Sequence, residues 1–366
     1  MVHNLKIHEN PKVLIRGASI SGLTAAARLN KAGFRCFITG DIYQNTKLEN
    51  YEFDHGTLLT LPATFRDFFQ KTGKHFGQVL EVNPCEPAFS FRFEDLSLDF
   101  ANLSHSARIK EISEKLGEAA ANEWRDLIAH GERYWDLLRE NYLEWEFSIR
   151  RAKIPTYLSL KPQFVKDPYL QKILAHYATY FGYPAGIYKW STLVAFAEQS
   201  FGIWQIKGGL GALHQSIFDR ARELGVLHQD SKDFDYQIET NEIFSRAAQR
   251  LIGISGYQKE LPIRTVIFHS SGHSTDIYAT KLEPGKYSLV LTGKLDIPDF
   301  DDFIEVDQIR PKIHGNADNR LITKIRSANK TVFKVRHLDS LAHAAIAGEL
   351  LANALQGIKN RPSHEH

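Results

Sequence analysis

The sequence has 366 residues, enough for one large domain or for two interleaved ones with a sizeable core. It is 43% hydrophobic and 24% charged with a formal net charge of only +2, which indicates an ordinary globular protein and no nucleic-acid partner. With only two cysteines, the chain has no disulfide scaffold, and it contains no Cys/His cluster that would indicate a metal site. No apolar run approaches the roughly 18 residues of a membrane span.

The first predicted unit, over residues 12–40, is a strand, a turn, a helix and a second strand. "KVLI" is a short apolar run typical of a buried parallel strand, and Gly17 interrupts it. Ser21 is expected to cap a helix that runs to about Lys31 and ends at Gly33. "FRCFIT" then forms the second strand, so the unit is a βαβ start.

The turn of this unit has the spacing of a dinucleotide-binding turn with one glycine exchanged for serine. In such a turn the first glycine bends the chain, the second lets a pyrophosphate approach, and the third lets helix and strand pack closely. Gly17 and Gly22 take the first and third positions, and Ser19 takes the second. The serine is small, its hydroxyl can donate to a phosphate oxygen, and the start of a helix attracts anions. The turn predicts a nucleotide-type fold and leaves open whether a nucleotide is still bound.

The end of the second strand should carry an acid that binds the ribose hydroxyls. Gly40 stands at that position, and Asp41 follows one residue later. Two interpretations stay open. Asp41 reaches the ribose if the strand end is shifted, or it is a solvated loop residue.

Helical and strand-like segments alternate along the rest of the chain. They are a helical, aromatic-rich stretch at 107–147, another at 167–184, a glycine-rich turn and helix at 204–226, a strand-rich stretch at 262–310, and a last helix at 339–356. Alternation at both ends around an aromatic middle predicts an α/β fold, in which a Rossmann-like domain is interleaved with an α+β domain. The predicted boundaries are 1–75, 201–257 and 321–366 for the first domain, and 76–200 and 258–320 for the second.

Four stretches between residues 12 and 226 carry a family resemblance. They are "GASISGLTAAARLNKAGF", "YEFDHGTLLTLPATFRDFFQKTG", "FVKDPYLQKILAHYATYFGYPA" and "WQIKGGLGALHQSIFDRARELGV". In this order they resemble the phytoene desaturase-like flavoproteins of the amine-oxidase-type FAD superfamily, and the last stretch is the most specific. The resemblance implies FAD as cofactor.

Carried over by position, the resemblance implies a set of cofactor-binding residues. They are Gly17, Ala18, Ser19, Ser21 and Gly22 around the pyrophosphate, Asp41 as the candidate for the ribose, Gly56 and Thr57 near the flavin, Gly208, Gly209 and Gly211 beside it, and Asp339 in place of the family's C-terminal aspartate. For the three glycines of the 204–226 segment, a tight strand-to-helix turn is the structural alternative.

The chain also departs from the family pattern. The glycine-glycine-arginine segment that usually follows the ribose acid is replaced by "DIYQNTKLEN". The C-terminal glycine-aspartate is absent, and Arg336 and His337 stand near its place, with Asp339 two residues further on. The chain is shorter than typical members, mainly after about residue 230.

The resemblance implies an FAD-dependent oxidoreductase that removes hydride from an apolar, polyene or isoprenoid-like substrate. It identifies no catalytic residue, and Tyr183, Tyr188 and His176 are pocket candidates for which core packing is the alternative. The altered motifs leave two other hypotheses. One is a flavoprotein-fold member without redox chemistry that binds an apolar ligand, carries a nucleotide structurally or assists a partner enzyme. The other is an NAD(P)-binding protein of another type.

The expected partner is an apolar small molecule, and the oligomeric state is left open. Because substrates of this family are lipid-soluble, the resemblance also admits a peripheral membrane contact through aromatic residues near 177–190. The N-terminus lacks the apolar segment of a secretory signal, so a cytoplasmic protein is expected.

Overall fold

The computed structural model describes residues 10–54, 62–136, 165–179, 188–240, 248–295, 298–310, 322–327, 330–335 and 341–359. Within these ranges the strands are β1 (Lys12–Arg16), β2 (Arg35–Thr39), β3 (Thr46–Leu48), β4 (Tyr51–Phe53), β5 (Val82–Pro84), β6 (Phe89–Arg92), β7 (Ser97–Phe100), β8 (Trp204–Ile206), β9 (Leu227–His228), β10 (Tyr236–Glu239), β11 (Gln249–Ile254), β12 (Arg264–Phe268), β13 (Ser274–Glu283), β14 (Lys286–Gly293), β15 (Ile304–Arg310), β16 (Ile322–Ser327) and β17 (Lys330–Val335). The helices are α1 (Ile20–Lys31), α2 (Pro62–Thr72), α3 (Phe76–Val79), α4 (His105–Leu116), α5 (Glu118–Arg133), α6 (Pro168–Thr179), α7 (Tyr188–Phe201), α8 (Gly209–Glu223) and α9 (Leu341–Lys359), with a 3₁₀ turn at Pro298–Phe303.

The first sheet has the strand order β16-β17-β10-β1-β2-β9. The strands from β17 to β9 run parallel, and β16 joins the edge antiparallel. The central strand β1 pairs with β2 on one side and β10 on the other, and helices α1, α2, α8 and α9 share one apolar core with this sheet. A parallel sheet that begins β1-α1-β2 confirms the predicted α/β, Rossmann-like fold.

The first helix follows the prediction except at its cap. Ser19, not Ser21, is the N-cap, because its backbone is extended and its Oγ accepts the N–H of Gly22 at 3.1 Å. Ser21 already lies in the first helical turn, so the predicted cap was wrong by two residues. At the other end, Gly33 follows the cap residue with a φ of +85°, which confirms the predicted stop.

The helix predicted over 107–147 is two helices in the described residues. Gly117 separates α4 from α5. Its backbone, with φ +91° and ψ 164°, is not helical, and residues other than glycine rarely adopt this conformation. The prediction of a helical stretch is confirmed on both sides of Gly117 but did not include the break there, and residues 137–147 lie outside the described residues. The predicted aromatic stripe still faces inward, since Trp124 and Leu127 are fully buried.

The second sheet has the order β15-β11-β14-β13-β12-β6-β7 and is antiparallel except where β12 meets β6. Helices α4 to α7 contribute to an aromatic-rich core with it, which includes Phe89, Phe91, Phe100 and Tyr177. This is the expected α+β layer. Strand β11 pairs within it although the predicted boundaries assign 201–257 to the nucleotide domain, and the two-domain division itself stays a prediction.

Small residues let α9 pack closely on α1, and one glycine tests that contact. A Cβ on Gly348 would lie 2.6 Å from the carbonyl oxygen of Ser21 and 2.8 Å from the Cβ of Thr24. We expect Gly348→Ala to lower the free energy of unfolding by about 1–3 kcal/mol, because α9 must move off α1. The control on the same helix is Gly357→Ala, where a Cβ meets no atom within 4 Å and where alanine should stabilise the helix. Urea denaturation of both variants is the measurement, and equal effects would contradict the close contact.

Candidate dinucleotide-binding site

The glycine turn lies at the carboxyl end of the central strand β1. Gly17 has a φ of +107°, and a Cβ there would overlap the carbonyl oxygen of Thr240, at the end of β10. A Cβ on Gly22 would lie 2.5 Å from the carbonyl oxygen of Gly17. Both positions therefore require glycine for the backbone approach that forms this turn, as the dinucleotide-binding spacing predicts.

Two hydroxyl groups lie at the start of α1. The Oγ of Ser19 accepts the Gly22 N–H and lies 3.1 Å from the Oγ of Ser21. Both serines are buried, and so is Ala18 beside them. Because a hydroxyl that accepts one hydrogen bond keeps its own hydrogen to donate, and the helix start is the positive end of its dipole, this turn fits a pyrophosphate.

The end of β2 offers no carboxylate at the expected place. Gly40 has a φ of +99°, and a Cβ there would lie 3.3 Å from the backbone nitrogen of Ala18, so the residue borders the glycine turn. Asp41 follows as an exposed residue. The carbonyl oxygen of Gly40 instead accepts the Nε2–H of His228 at 2.9 Å, from the end of β9. Sequence reasoning did not find His228, since nothing near it in the chain marks it.

The glycine-rich return, residues 208–211, forms the start of α8. Its backbone is held by side chains from the β3–β4 region: Leu210 N–H donates to Asp54 Oδ1 at 3.1 Å, and Gly211 N–H donates to Asn45 Oδ1 at 3.0 Å. These contacts favour the tight strand-to-helix turn. The predicted flavin contact of Gly208, Gly209 and Gly211 stays a prediction.

Asp54 joins the start of α8 to the second sheet through buried hydrogen bonds. Besides the α8 start, its carboxylate accepts the O–H of Tyr278 on β13 at 3.2 Å, and Gln205 donates to the Tyr278 oxygen at 3.0 Å. A Cβ on Gly209 would lie 2.5 Å from the Asp54 carboxyl carbon, which explains the glycine there. Burial and the neighbouring carboxylate raise the pKa of Tyr278 well above its usual value, so the phenol stays protonated.

Other predicted residues fall away from this site or outside the described residues. Gly56, Thr57, Tyr183 and Asp339 lie outside the described residues. The His176 side chain is packed edge-on to the rings of Phe89 and Phe268, and burial lowers its pKa to about 4. That environment favours the core-packing alternative for His176. Among the described side chains, no group of His, Cys, Asp and Glu is arranged to hold a metal ion.

A buried histidine beside the site makes stability depend on pH. His214 on α8 packs against the Tyr43 ring at 5.1 Å, and burial lowers its pKa to about 3. Its pKa in the unfolded chain is about 6.5, so between these values the unfolded chain binds a proton that the folded chain does not. Stability from the neutral imidazole is thus complete above about pH 6.5 and is lost as the pH falls towards 3.

We expect His214→Phe to remove this dependence. Between about pH 7 and about pH 4.5 the wild-type chain should lose roughly 3 kcal/mol of unfolding free energy through His214, and the variant should lose that much less. Urea unfolding at both pH values is the measurement, and His273→Phe at an exposed position is the control. Equal losses in the wild type and His214→Phe would contradict the burial effect.

Comparison with known proteins gives relatives in sequence. No model of a known protein family matches the chain. It is 25% identical to the 4,4'-diapolycopene oxygenase of a Methylomonas species over 258 residues, 60% of this chain and 48% of the relative. It is 24% identical to a 4,4'-diapophytoene desaturase of Staphylococcus haemolyticus over 244 residues, 58% of this chain and 47% of the relative. The chain thus spans about half the length of the curated relatives it matches.

Solved structures give the fold. Wild-type putrescine oxidase bound to putrescine superposes with a TM-score of 0.59 at 12% identity, over 95% of this chain and 99% of that one. An oxidoreductase of Methanosarcina mazei superposes with a TM-score of 0.56 at 11% identity, over 93% of this chain and 100% of that one. Rab GDI of Plasmodium falciparum superposes with a TM-score of 0.56 at 10% identity, over 95% of this chain and 98% of that one. The chain is therefore similar in sequence to carotenoid desaturases, as its motifs indicate, and it has the Rossmann-like α/β fold that this resemblance implies.

Proposed function

We propose that this chain is an FAD-dependent oxidoreductase that acts on an apolar, polyene or isoprenoid-like substrate. The observation that carries the proposal is the glycine turn at the carboxyl end of β1, with the hydroxyls of Ser19 and Ser21 at the start of α1. It lies in a chain similar to a diapophytoene desaturase over more than half its length. When bound, FAD would supply the acceptor for a hydride from one substrate carbon, and the neighbouring carbon would release a proton to water as the double bond forms.

The chain's own residues would bind and orient the reactants. Ser19 would donate to the pyrophosphate, and Ser21 would support it through the hydrogen bond between the two hydroxyls. Gly17 and Gly22 would form the turn, because neither position has room for a side chain. Asp54, through α8 and Tyr278, would hold the nucleotide sheet in fixed relation to the second sheet. The substrate would lie on the side of the second sheet and helices α4 to α7, whose core is rich in aromatic side chains.

The test of this activity is an anaerobic reduction experiment. The protein is loaded with FAD and mixed without oxygen with an acyclic polyene hydrocarbon in detergent micelles. We expect the flavin absorbance at about 450 nm to decrease as the substrate gains a double bond. The new double bond is detected by a red shift of the substrate's absorption spectrum. A saturated hydrocarbon of equal length is the control. Retention of the flavin absorbance with every polyene offered would contradict the proposed activity.

A second candidate function is a member of this fold without redox chemistry, which binds an apolar ligand or assists a partner enzyme. The observation that favours it is Gly40, which gives the end of β2 no carboxylate for a ribose. Under this alternative, the protein would take up neither FAD nor NAD(P) in a binding titration, or it would hold FAD whose absorbance no polyene decreases.

We also propose a peripheral contact with a membrane for a cytoplasmic protein. In the described ranges no helix combines the length and apolar character needed to cross a bilayer. Residues 177–190, where the contact was predicted, lie largely outside the described residues. In the part of the chain that the structure describes, Leu103 and Phe201 are exposed apolar side chains, and the rings of Trp135 and Phe201 lie 5.2 Å apart. Flotation with anionic lipid vesicles at low salt should carry the protein upward, and Leu103→Ser/Phe201→Ser should remain at the bottom.

A further inference from the structure

His228 lies where the nucleotide site lacks its usual carboxylate. Strands β1, β2 and β9 are parallel neighbours, so their carboxyl ends meet at one edge of the sheet, and ligands of such sheets bind outside this edge. The glycine turn follows β1, Gly40 follows β2, and His228 ends β9. We propose that the His228 imidazole accepts a hydrogen bond from the adenosine ribose of the bound dinucleotide. The inference rests on the proposed FAD function.

The backbone at Gly40 excludes the carboxylate that usually binds the ribose at the end of the second strand. The acid that binds the ribose 2′-hydroxyl normally stands at the end of the second strand. Here that residue has no side chain, its φ of +99° disfavours any other residue, and a Cβ would approach Ala18 N to 3.3 Å. The end of β2 itself therefore offers no ribose ligand. Besides Asp41 in the loop that follows, a side chain can reach this edge from β9, the neighbour of β2 on the side away from β1.

The hydrogen bond to Gly40 sets the chemistry of the imidazole. Because a carbonyl oxygen accepts, Nε2 carries the hydrogen that it donates to Gly40 at 2.9 Å. In the neutral ring Nδ1 is then an acceptor, as a carboxylate oxygen would be, and a ribose hydroxyl can donate to it. The ring of Phe218 lies edge-on to the imidazole at 5.2 Å between ring centroids. His228 is exposed, so a ligand can reach it.

The experiment compares ADP with 2′-deoxy-ADP as competitors for FAD on the full chain. In the wild type, ADP should displace FAD at roughly a three- to ten-fold lower concentration than 2′-deoxy-ADP, the effect of one hydrogen bond. In His228→Ala this preference should fall to about one, with ADP weakened and 2′-deoxy-ADP unchanged. His273→Ala, at an exposed position, should keep the wild-type preference.

The outcomes separate this inference from the proposed function. If His228→Ala keeps the wild-type preference for ADP, His228 is not the ribose ligand although FAD binds. If ADP displaces FAD no better than 2′-deoxy-ADP does in the wild type, the ribose 2′-hydroxyl makes no hydrogen bond at this sheet edge and the inference is wrong. If the wild-type chain binds no FAD, the proposed function fails and the inference fails with it. Thermal unfolding of each variant confirms that the protein tested is folded.

Discussion

Replacing Gly22 by valine is expected to abolish dinucleotide binding while the chain remains folded. Even a Cβ at this position would lie 2.5 Å from the carbonyl oxygen of Gly17 and 2.7 Å from the Oγ1 of Thr240. Valine adds two methyl groups to that overlap, so α1 must move away from the ends of β1 and β10. Ser19 and its hydroxyl then leave the position in which they could bind a phosphate. The overpacking should also cost about 1–3 kcal/mol of stability, which a large domain can tolerate.

FAD titration into the wild type and the variant is the measurement, with circular dichroism to establish folding. The matched control is Gly77→Val in α3, because Gly77 is exposed and a Cβ there meets no atom within 4 Å. We expect this control to bind FAD as the wild type does. Undiminished FAD binding by a folded Gly22→Val protein would show that the turn does not hold the nucleotide.

Removal of one partner from the buried Arg108–Glu198 pair is expected to have the largest effect on stability. The two terminal guanidinium nitrogens of Arg108 on α4, Nη1 and Nη2, donate to the carboxylate of Glu198 on α7 at 2.6 Å, and Tyr177 O–H donates to it at 3.1 Å. The two side chains are 0% and 1% exposed. Arg108→Met would leave the Glu198 carboxylate buried without its partner, at a cost of about 3–5 kcal/mol.

A double variant distinguishes the loss of a partner from the loss of packing. Arg108→Met/Glu198→Met removes both charges, so we expect it to be less destabilised than Arg108→Met alone. Lys110→Met is the surface control on the same helix, where an exposed pair with Glu114 contributes at most about 1 kcal/mol. Urea denaturation gives all values. An Arg108→Met protein within about 1 kcal/mol of the wild type would contradict the prediction.

The parts of this fold that depend on local pattern could be predicted from the sequence. The β1-α1-β2 unit follows from a short apolar run, a glycine at the turn and an alanine-rich helix, each a feature of adjacent residues. The choice between Ser19 and Ser21 as cap could not be predicted, since both residue types cap helices well and stand two residues apart. Gly117 shows the same limit, because an isolated glycine is tolerated in many helices and ends others.

The candidate site depends on contacts that no local pattern shows. Asp54 meets Leu210 and Tyr278 across separations of 156 and 224 residues, and His228 meets Gly40 across 188. The His228–Gly40 pair follows from the strand order, which brings the ends of β1, β2, β9 and β10 to one edge. The Asp54 pairs follow from the packing of α8 and β13 around the end of β4. Sequence reasoning found the residues that a motif marks, at positions 17–22, and missed those that the topology brings to them.

The visible absorption spectrum of the protein tests the central claim most directly. The full-length chain is purified, incubated with excess FAD and passed over a desalting column, and its spectrum is compared with that of Gly22→Val treated identically. We predict that the wild-type protein elutes with a flavin absorption band at about 450 nm and that the variant elutes without it. A wild-type protein that is folded, colourless as purified and still colourless after incubation with FAD would contradict the claim that this turn binds the cofactor.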